Sequence, residues 1–324
     1  MATRGKYTFL LLALAAALLA VLAAGCGRSG EPTSAAPETD SGSLSGTIEA
    51  DGSSTVGPLV TAAAESFRGR EPGVRVTVGV SGTGGGFERF CAGETDLSNA
   101  SRPIKQEEVD ACAEHGVEYV ELHVANDALT LVINKDNEWA SCLTVQQLRR
   151  IWEPGSKVGS WRDVEGGFPD EPLKLFGAGT DSGTFDFFTK AIVGEEGASR
   201  SDYAATEDDN VTVQGVSGER GGLGYFGLSY YEQNAASLKA LAVDGGGGCV
   251  APSVASAQDG RYTPLSRPLY VYATVEALAR PEIAAFLHHL LDEGEAIAAL
   301  AQFVPLTDEQ LATARAALDE AVGG

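Results

Sequence analysis

Three stretches of this chain share one unusual composition: "DGSSTVGP" (51–58), "SGTGGGFERF" (81–90) and "GTDSGTFDFF" (179–188). Each is built of Gly, Ser and Thr, and each stands where a strand-like pattern gives way to a helix-like one. "GTIEADG" reads as a strand, and Val56, Leu59, Val60, Ala63, Ala64 and Phe67 then recur at helical spacing. "VRVTVGV" (74–80) alternates strictly, and "FERFCAG" after it reads as a helix. "LKLFGAG" reads as a strand before a helix in "GTFDFFTKAIVG". Further strands are expected in "VEYVELHV", "ALTLVIN", "LGYFG", "LKALAV" and "PLYVYATV". Thr144 and Gln147 in "TVQQLRRIW" form a capping-box pattern, and the chain is mostly helical from Pro281. Strands interleaved with helices predict an α/β fold.

Strand C-termini that run into helix N-termini are where open α/β sheets bind ligands. A helix start leaves backbone N–H groups unpaired and carries partial positive charge, so it can hold an anion without Lys or Arg. Glycines let the backbone come close, and hydroxyls add donors. Ordinary N-capping explains any one such junction. Three of the same composition in one chain point to a shared oxyanion.

Charge and the rarer residues narrow the function. The formal net charge is −22, and losing Arg4 and Lys6 with a leader makes it more negative. No basic stripe exists to meet nucleic-acid phosphates. The N-terminus has the basic Arg4 and Lys6, an apolar run from Phe9 to Ala24, then Gly25 and Cys26, which is a secretory leader. "LAAGC" is similar to the bacterial lipobox, with Ala23 where Leu is usual, so Cys26 is expected to be lipidated. Residues 26–45, rich in Gly, Ser, Pro and Thr, are expected to form a flexible tether. Four Cys remain, with no metal or redox spacing: Cys91, Cys112, Cys142 and Cys249. Outside the cytoplasm, disulfides are expected. Three connectivities exist, of which Cys91–Cys112 with Cys142–Cys249 is the natural local choice. The four His residues do not cluster with carboxylates, so neither a metal nor a cofactor is expected.

Two catalytic patterns compete for the third junction. Asp181-Ser182-Gly183-Thr184 matches the aspartic-protease tetrapeptide, but the required second Asp-Ser/Thr-Gly is absent. A serine hydrolase elbow needs Gly-x-Ser-x-Gly, and both outer glycines are missing around Ser182. The glycines of "SGTGGGF" do not fit the dinucleotide fingerprint, and no Gly-Lys-Ser/Thr exists for a P-loop.

The motifs "DGSSTV", "SGTGGGF", "ASRPI" and "GTDSGTF", in this order, resemble those of the periplasmic phosphate-binding proteins of the phosphate ABC importer. "GASRSDYAATEDDNVTVQGV" and "GGLGYFGLSYYE" extend the resemblance beyond Gly227. It implies a two-lobed periplasmic-binding-protein fold with a ligand cleft and no enzymatic activity. The expected leader is 1–25, with residues 46–125 and 268–324 expected to form one lobe and 126–267 the other. It implies a monomer, anchored by lipid alone on the outer side of the cell membrane, that hands phosphate to a permease. Carried over by residue, the phosphate donors are Ser54 and Thr55, then Ser81, Thr83 and Gly84, then Ser182, Gly183 and Thr184.

Two departures from the resembled pattern stand out. Ser101 in "ASRPI" occupies the place of an Asp that accepts the proton of hydrogen phosphate. Ala178 occupies the place of an Arg. Arg102 is therefore expected to supply the cationic contact, with a surface ion pair to Glu107 or Glu108 as the alternative and Arg200 as the next candidate. Asp181 is the expected proton acceptor. The competing functions are a receptor for sulfate or molybdate, and a hydrolase using Ser182 or Asp181.

Overall fold

The computed structural model describes residues 43–180 and 182–323. The leader, Cys26, most of the tether and Asp181 lie outside the described residues. Eleven strands are present among those described: β1 (Ser45–Gly52), β2 (Gly73–Val78), β3 (Leu97–Ala100), β4 (Tyr119–Asn134), β5 (Cys142–Thr144), β6 (Lys174–Ala178), β7 (Ala204–Thr206), β8 (Gly222–Gly227), β9 (Leu238–Asp244), β10 (Cys249–Val250) and β11 (Ser266–Thr274). Their order is β2-β1-β3-β11-β4-β8-β6-β7, while β9 also pairs with β4 and carries β5 and β10. The helices that matter for the site are α1 (Val56–Arg68), α2 (Gly82–Cys91) and α3 (Gln106–Glu114). They are followed by α4 (Val145–Trp152), α5 (Trp161–Val164) and α6 (Gly183–Phe188).

The fold is two-lobed because its apolar residues segregate into two main cores. One gathers Ile48, Leu59, Val60, Phe67, Val271 and Phe286. The apolar stripe of α1 covers β1 there, and each buried Leu or Phe contributes about 1.5–3 kcal/mol. The other gathers Leu131, Trp152, Trp161, Phe188, Tyr225 and Leu241. In it the Phe188 and Tyr225 rings stack at 3.8 Å, and Trp152 meets both edge-on at 5.2 Å.

Two strands carry the chain between the cores. On β4, Val124 and Ala125 belong to the first core and Leu129 to the second; Leu265, just before β11, belongs to the second and Leu269 to the first. The two strands expected in "VEYVELHV" and "ALTLVIN" are therefore one continuous strand, β4. The polar "ND" between them looks like a turn but is paired. Asn126 and Val304 exchange both backbone hydrogen bonds at 2.8 Å, and Asp127 lies opposite Arg267 in the β4–β11 register.

Other local departures have equally local causes. The helix expected at "FERFCAG" starts earlier, at Gly82, and takes in the whole glycine run. A Cβ on Gly86 would lie 2.5 Å from Gly52 Cα, so glycine here lets α2 pack directly on the end of β1. After α6 the helix widens into a π-helical turn, Thr189–Val193, and stops at Gly194 with φ 97°. The expected capping box forms, with Gln147 N donating to Thr144 Oγ1 at 3.1 Å. Disulfides join Cys91 to Cys112, between α2 and α3, and Cys142 to Cys249, between β5 and β10. No helix among the described residues is long and apolar enough to cross a membrane.

Candidate functional site

The first junction settles which of its hydroxyls is only a cap. Ser53, 3% exposed, accepts from Thr55 N (3.2 Å) and Val56 N (3.4 Å). Thr55 makes no side-chain cap, so Ser54 and Thr55 are not needed to start α1. In the second junction Ser81 likewise makes no cap. Its side chain reaches Asp51, which burial would push up but which Arg89, Gly52 and Ser81 together hold below the usual carboxylate range. Thr83 Oγ1 accepts from Ser101 N (3.3 Å) and lies 3.2 Å from Ser101 Oγ. A Cβ on Gly84 would meet nothing within 4 Å, so its backbone is open to approach.

The third junction lies against the first, across the lobes. A Cβ on Gly183 would meet Thr55 Oγ1 at 3.4 Å and Ser54 Oγ at 3.5 Å. Ser182 Oγ accepts from Thr184 N at 3.1 Å, so it does cap α6, and its own proton stays free to donate. Through Gly183 the third junction thus touches the first, and through Gly86 on Gly52 the second touches it too.

The cation at this meeting point is Arg267, which the sequence reading did not single out. Its Nε donates to Asp127 Oδ2 (3.0 Å) and its Nη2 to Thr55 Oγ1 (2.8 Å). Burial pushes the Asp127 carboxyl up and the Arg267 guanidinium down. A guanidinium stays protonated, so it holds Asp127 ionised as its counter-charge. The signal in the sequence was Asp127 itself: a carboxylate inside the apolar run of β4 requires a partner. Nothing local in "LSRPLY" says that Arg267 is that partner.

Arg102, expected in the cleft, is committed elsewhere. Its Nη1 and Nη2 donate to the two carboxylate oxygens of Glu108 at 2.8 and 2.7 Å. Those bonds raise the Arg102 guanidinium pKa, and Glu108 sits below its usual value although burial works against this. Glu108 also accepts from Lys105 N (2.8 Å) at the start of α3. The capping of α3 therefore draws the guanidinium to it. Arg200 is also taken: Asp202 accepts from its Nε and Nη2 (2.6 and 2.9 Å), and Ile151 and Val158 carbonyls accept from Nη1 (3.0 Å each). Ala178 is buried, and its carbonyl accepts from Tyr203 Oη at 2.7 Å.

Nothing described prepares Ser182 as a nucleophile. Each His is engaged elsewhere: His115 with Ala111 O, His123 with Ala125 O and Asn126, His288 with Asp319, and His289 with Ser66.

Residues 35–293 match the family model described as the PBP superfamily domain. "Protein SphX" of Synechococcus elongatus is 48% identical over 262 residues, 80% of this chain and 77% of that protein. "Phosphate-binding protein PstS" of Staphylococcus saprophyticus is 39% identical over 286 residues, 88% of each chain. The chain belongs to the PstS-like family of the PBP superfamily. Among solved structures, a possible phosphate binding protein from Planctomyces limnophilus is 47% identical with TM-score 0.83, covering 86% of this chain and 100% of that one. The PstS-like family consists of binding proteins rather than enzymes, which sets aside the hydrolase reading of Ser182 and Asp181.

Proposed function

We propose that this chain captures inorganic phosphate outside the cytoplasm and delivers it to a membrane-embedded ABC importer. One observation carries the reading: in a PstS-like chain, donor-rich junctions from both lobes meet beside a half-buried, oriented guanidinium. Ser54, Thr55, Thr83, Gly84, Ser182, Gly183 and Thr184 would donate to phosphate oxygens, with Arg267 as the cation in place of Arg102. Ser81 and Ser101 would line the side of the first lobe. Asp181 remains the proposed acceptor of the phosphate proton.

The proposed lobes are 46–125 with 268–324, and 126–267, with Asp127 and Arg267 at the two crossings. They would hinge there and close on the anion. Cys26 would carry the lipid and residues 26–45 the tether. Because the ligand is an anion and the protein carries net charge −22, capture rests on local donors rather than on long-range attraction.

Calorimetric titration with phosphate, sulfate and molybdate tests this reading. One phosphate per chain, bound more tightly than the other two anions, is expected; preference for sulfate or molybdate would reassign the ligand. Mass spectrometry of the mature N-terminus tests the anchor, and a chain that starts anywhere but at a lipidated Cys26 would remove it.

A further inference from the structure

The aromatic run "FDFF" closes the third junction, and the site proposed above does not use it. Phe185, Phe187 and Phe188 all belong to the second core, at 3%, 7% and 0% exposure. Phe187 has a second neighbour of another kind. The guanidinium carbon of Arg267 lies 3.7 Å from its ring centroid, the distance of a stacked contact.

Arg267 is therefore held by groups from three parts of the chain. Asp127, on β4, takes Nε; Thr55, in the first lobe, takes Nη2; the Phe187 ring, in the second lobe, covers one face. Among the described residues Nη1 has no hydrogen-bond partner. Two hydrogen bonds fix where the guanidinium points, and a ring 3.7 Å from its central carbon limits its tilt. Thr55 and Phe187 belong to opposite lobes, so both lobes meet on Arg267, and closure in the receptor reading would bring the two together there.

We propose that Phe187 is a positioning residue for anion capture, whose ring sets the plane of the Arg267 guanidinium and completes that arrangement as the lobes close. The inference rests on the phosphate-receptor reading. A leucine would fill most of the same volume but offers neither a flat surface nor a π-face. A residue that served only as core filler would tolerate that exchange with little change in ligand affinity.

The test titrates the parent, Phe187→Leu and Phe187→Tyr with inorganic phosphate, and records solution X-ray scattering of each with and without phosphate. Loss of a desolvated cation–π contact predicts that Phe187→Leu binds about three- to thirtyfold more weakly. It should also need correspondingly more phosphate to reach the compact scattering profile. Phe187→Tyr keeps the ring and should recover most of the affinity. If Phe187→Leu does not fold, Phe187→Met is read in its place with the same expectation. Parent-like affinity in the ring-less variant, or a Tyr variant as weak as it, overturns the inference while leaving the receptor reading intact. A parent that does not bind phosphate overturns the receptor reading, and the inference with it.

Discussion

Replacing Arg267 should separate two quantities that usually move together, stability and affinity. The side chain is 18% exposed and its partner Asp127 9%. Removing one member of a buried pair leaves the other charge uncompensated, at a cost of about 3–5 kcal/mol. Arg267→Ala should therefore be both unstable and poor at binding. The double variant Arg267→Met with Asp127→Leu removes both charges and should fold with stability near the parent, because a buried ion pair exchanged for apolar residues of similar volume is often nearly neutral overall. It still lacks the cation. A hydrogen bond to a charged group contributes about 1.5–3 kcal/mol, so one lost guanidinium bond predicts about a ten- to hundredfold loss of phosphate affinity. Arg267→Lys should fall between parent and double variant, since an ammonium cannot reproduce a planar fork shared among Asp127, Thr55 and the ligand. Arg102→Ala should bind as the parent does, because its guanidinium serves Glu108. Chemical denaturation gives the stabilities and calorimetry the affinities. A double variant that is well folded and binds phosphate within about twofold of the parent, on the same free-energy scale, would refute the assignment of Arg267.

Ser182→Ala removes both a cap and a donor, so it should cost about 1 kcal/mol of stability and weaken phosphate by about tenfold or more; thermal melts and calorimetry read the two effects separately. Gly86→Ala would place a Cβ 2.5 Å from Gly52 Cα and 3.1 Å from Asp51 O, and overpacking against backbone should destabilise by about 1–3 kcal/mol in denaturation curves. Asp209 is pushed up to about 6, first by burial and then by Asp208 and Glu207. Its folded state thus takes up a proton before the unfolded state does, and stability attributable to it falls as pH rises from about 4 through 6. Asp209→Asn should remove that dependence and gain about 1 kcal/mol at pH 8, after allowance for its partial exposure; parallel melting curves at pH 5 and pH 8 would show it.

Much of the fold was legible because its signals are local. The period of α1, the alternation of β2 and the Thr144–Gln147 box each state their element within a dozen residues. The glycines of the second junction were legible as close-approach residues, although not the surface they approach: Gly86 meets Gly52, which only the folded sheet brings alongside. The polar Asn126 and Asp127 divide β4 into two apolar stretches in the sequence. Their partners, Val304 and Arg267, lie more than a hundred residues away, and no window spans both. The same distance hid the cation. Arg102 stands inside a junction motif, yet an Arg six residues before a Glu at a helix start can be drawn into capping that helix. Arg267 stands in no motif and is placed by strand register alone.

The central claim is a location as well as a ligand, and arsenate tests both. It is tetrahedral like phosphate, and its arsenic scatters anomalously, so diffraction from crystals grown with arsenate marks the anion directly. The account predicts one strong peak between the lobes, within hydrogen-bond reach of Thr55 Oγ1, the Ser182 and Thr184 hydroxyls and Arg267 Nη1, and its loss when phosphate is added in excess. A peak beside Arg102 or Arg200 with none at Arg267, or no peak between the lobes, would contradict it.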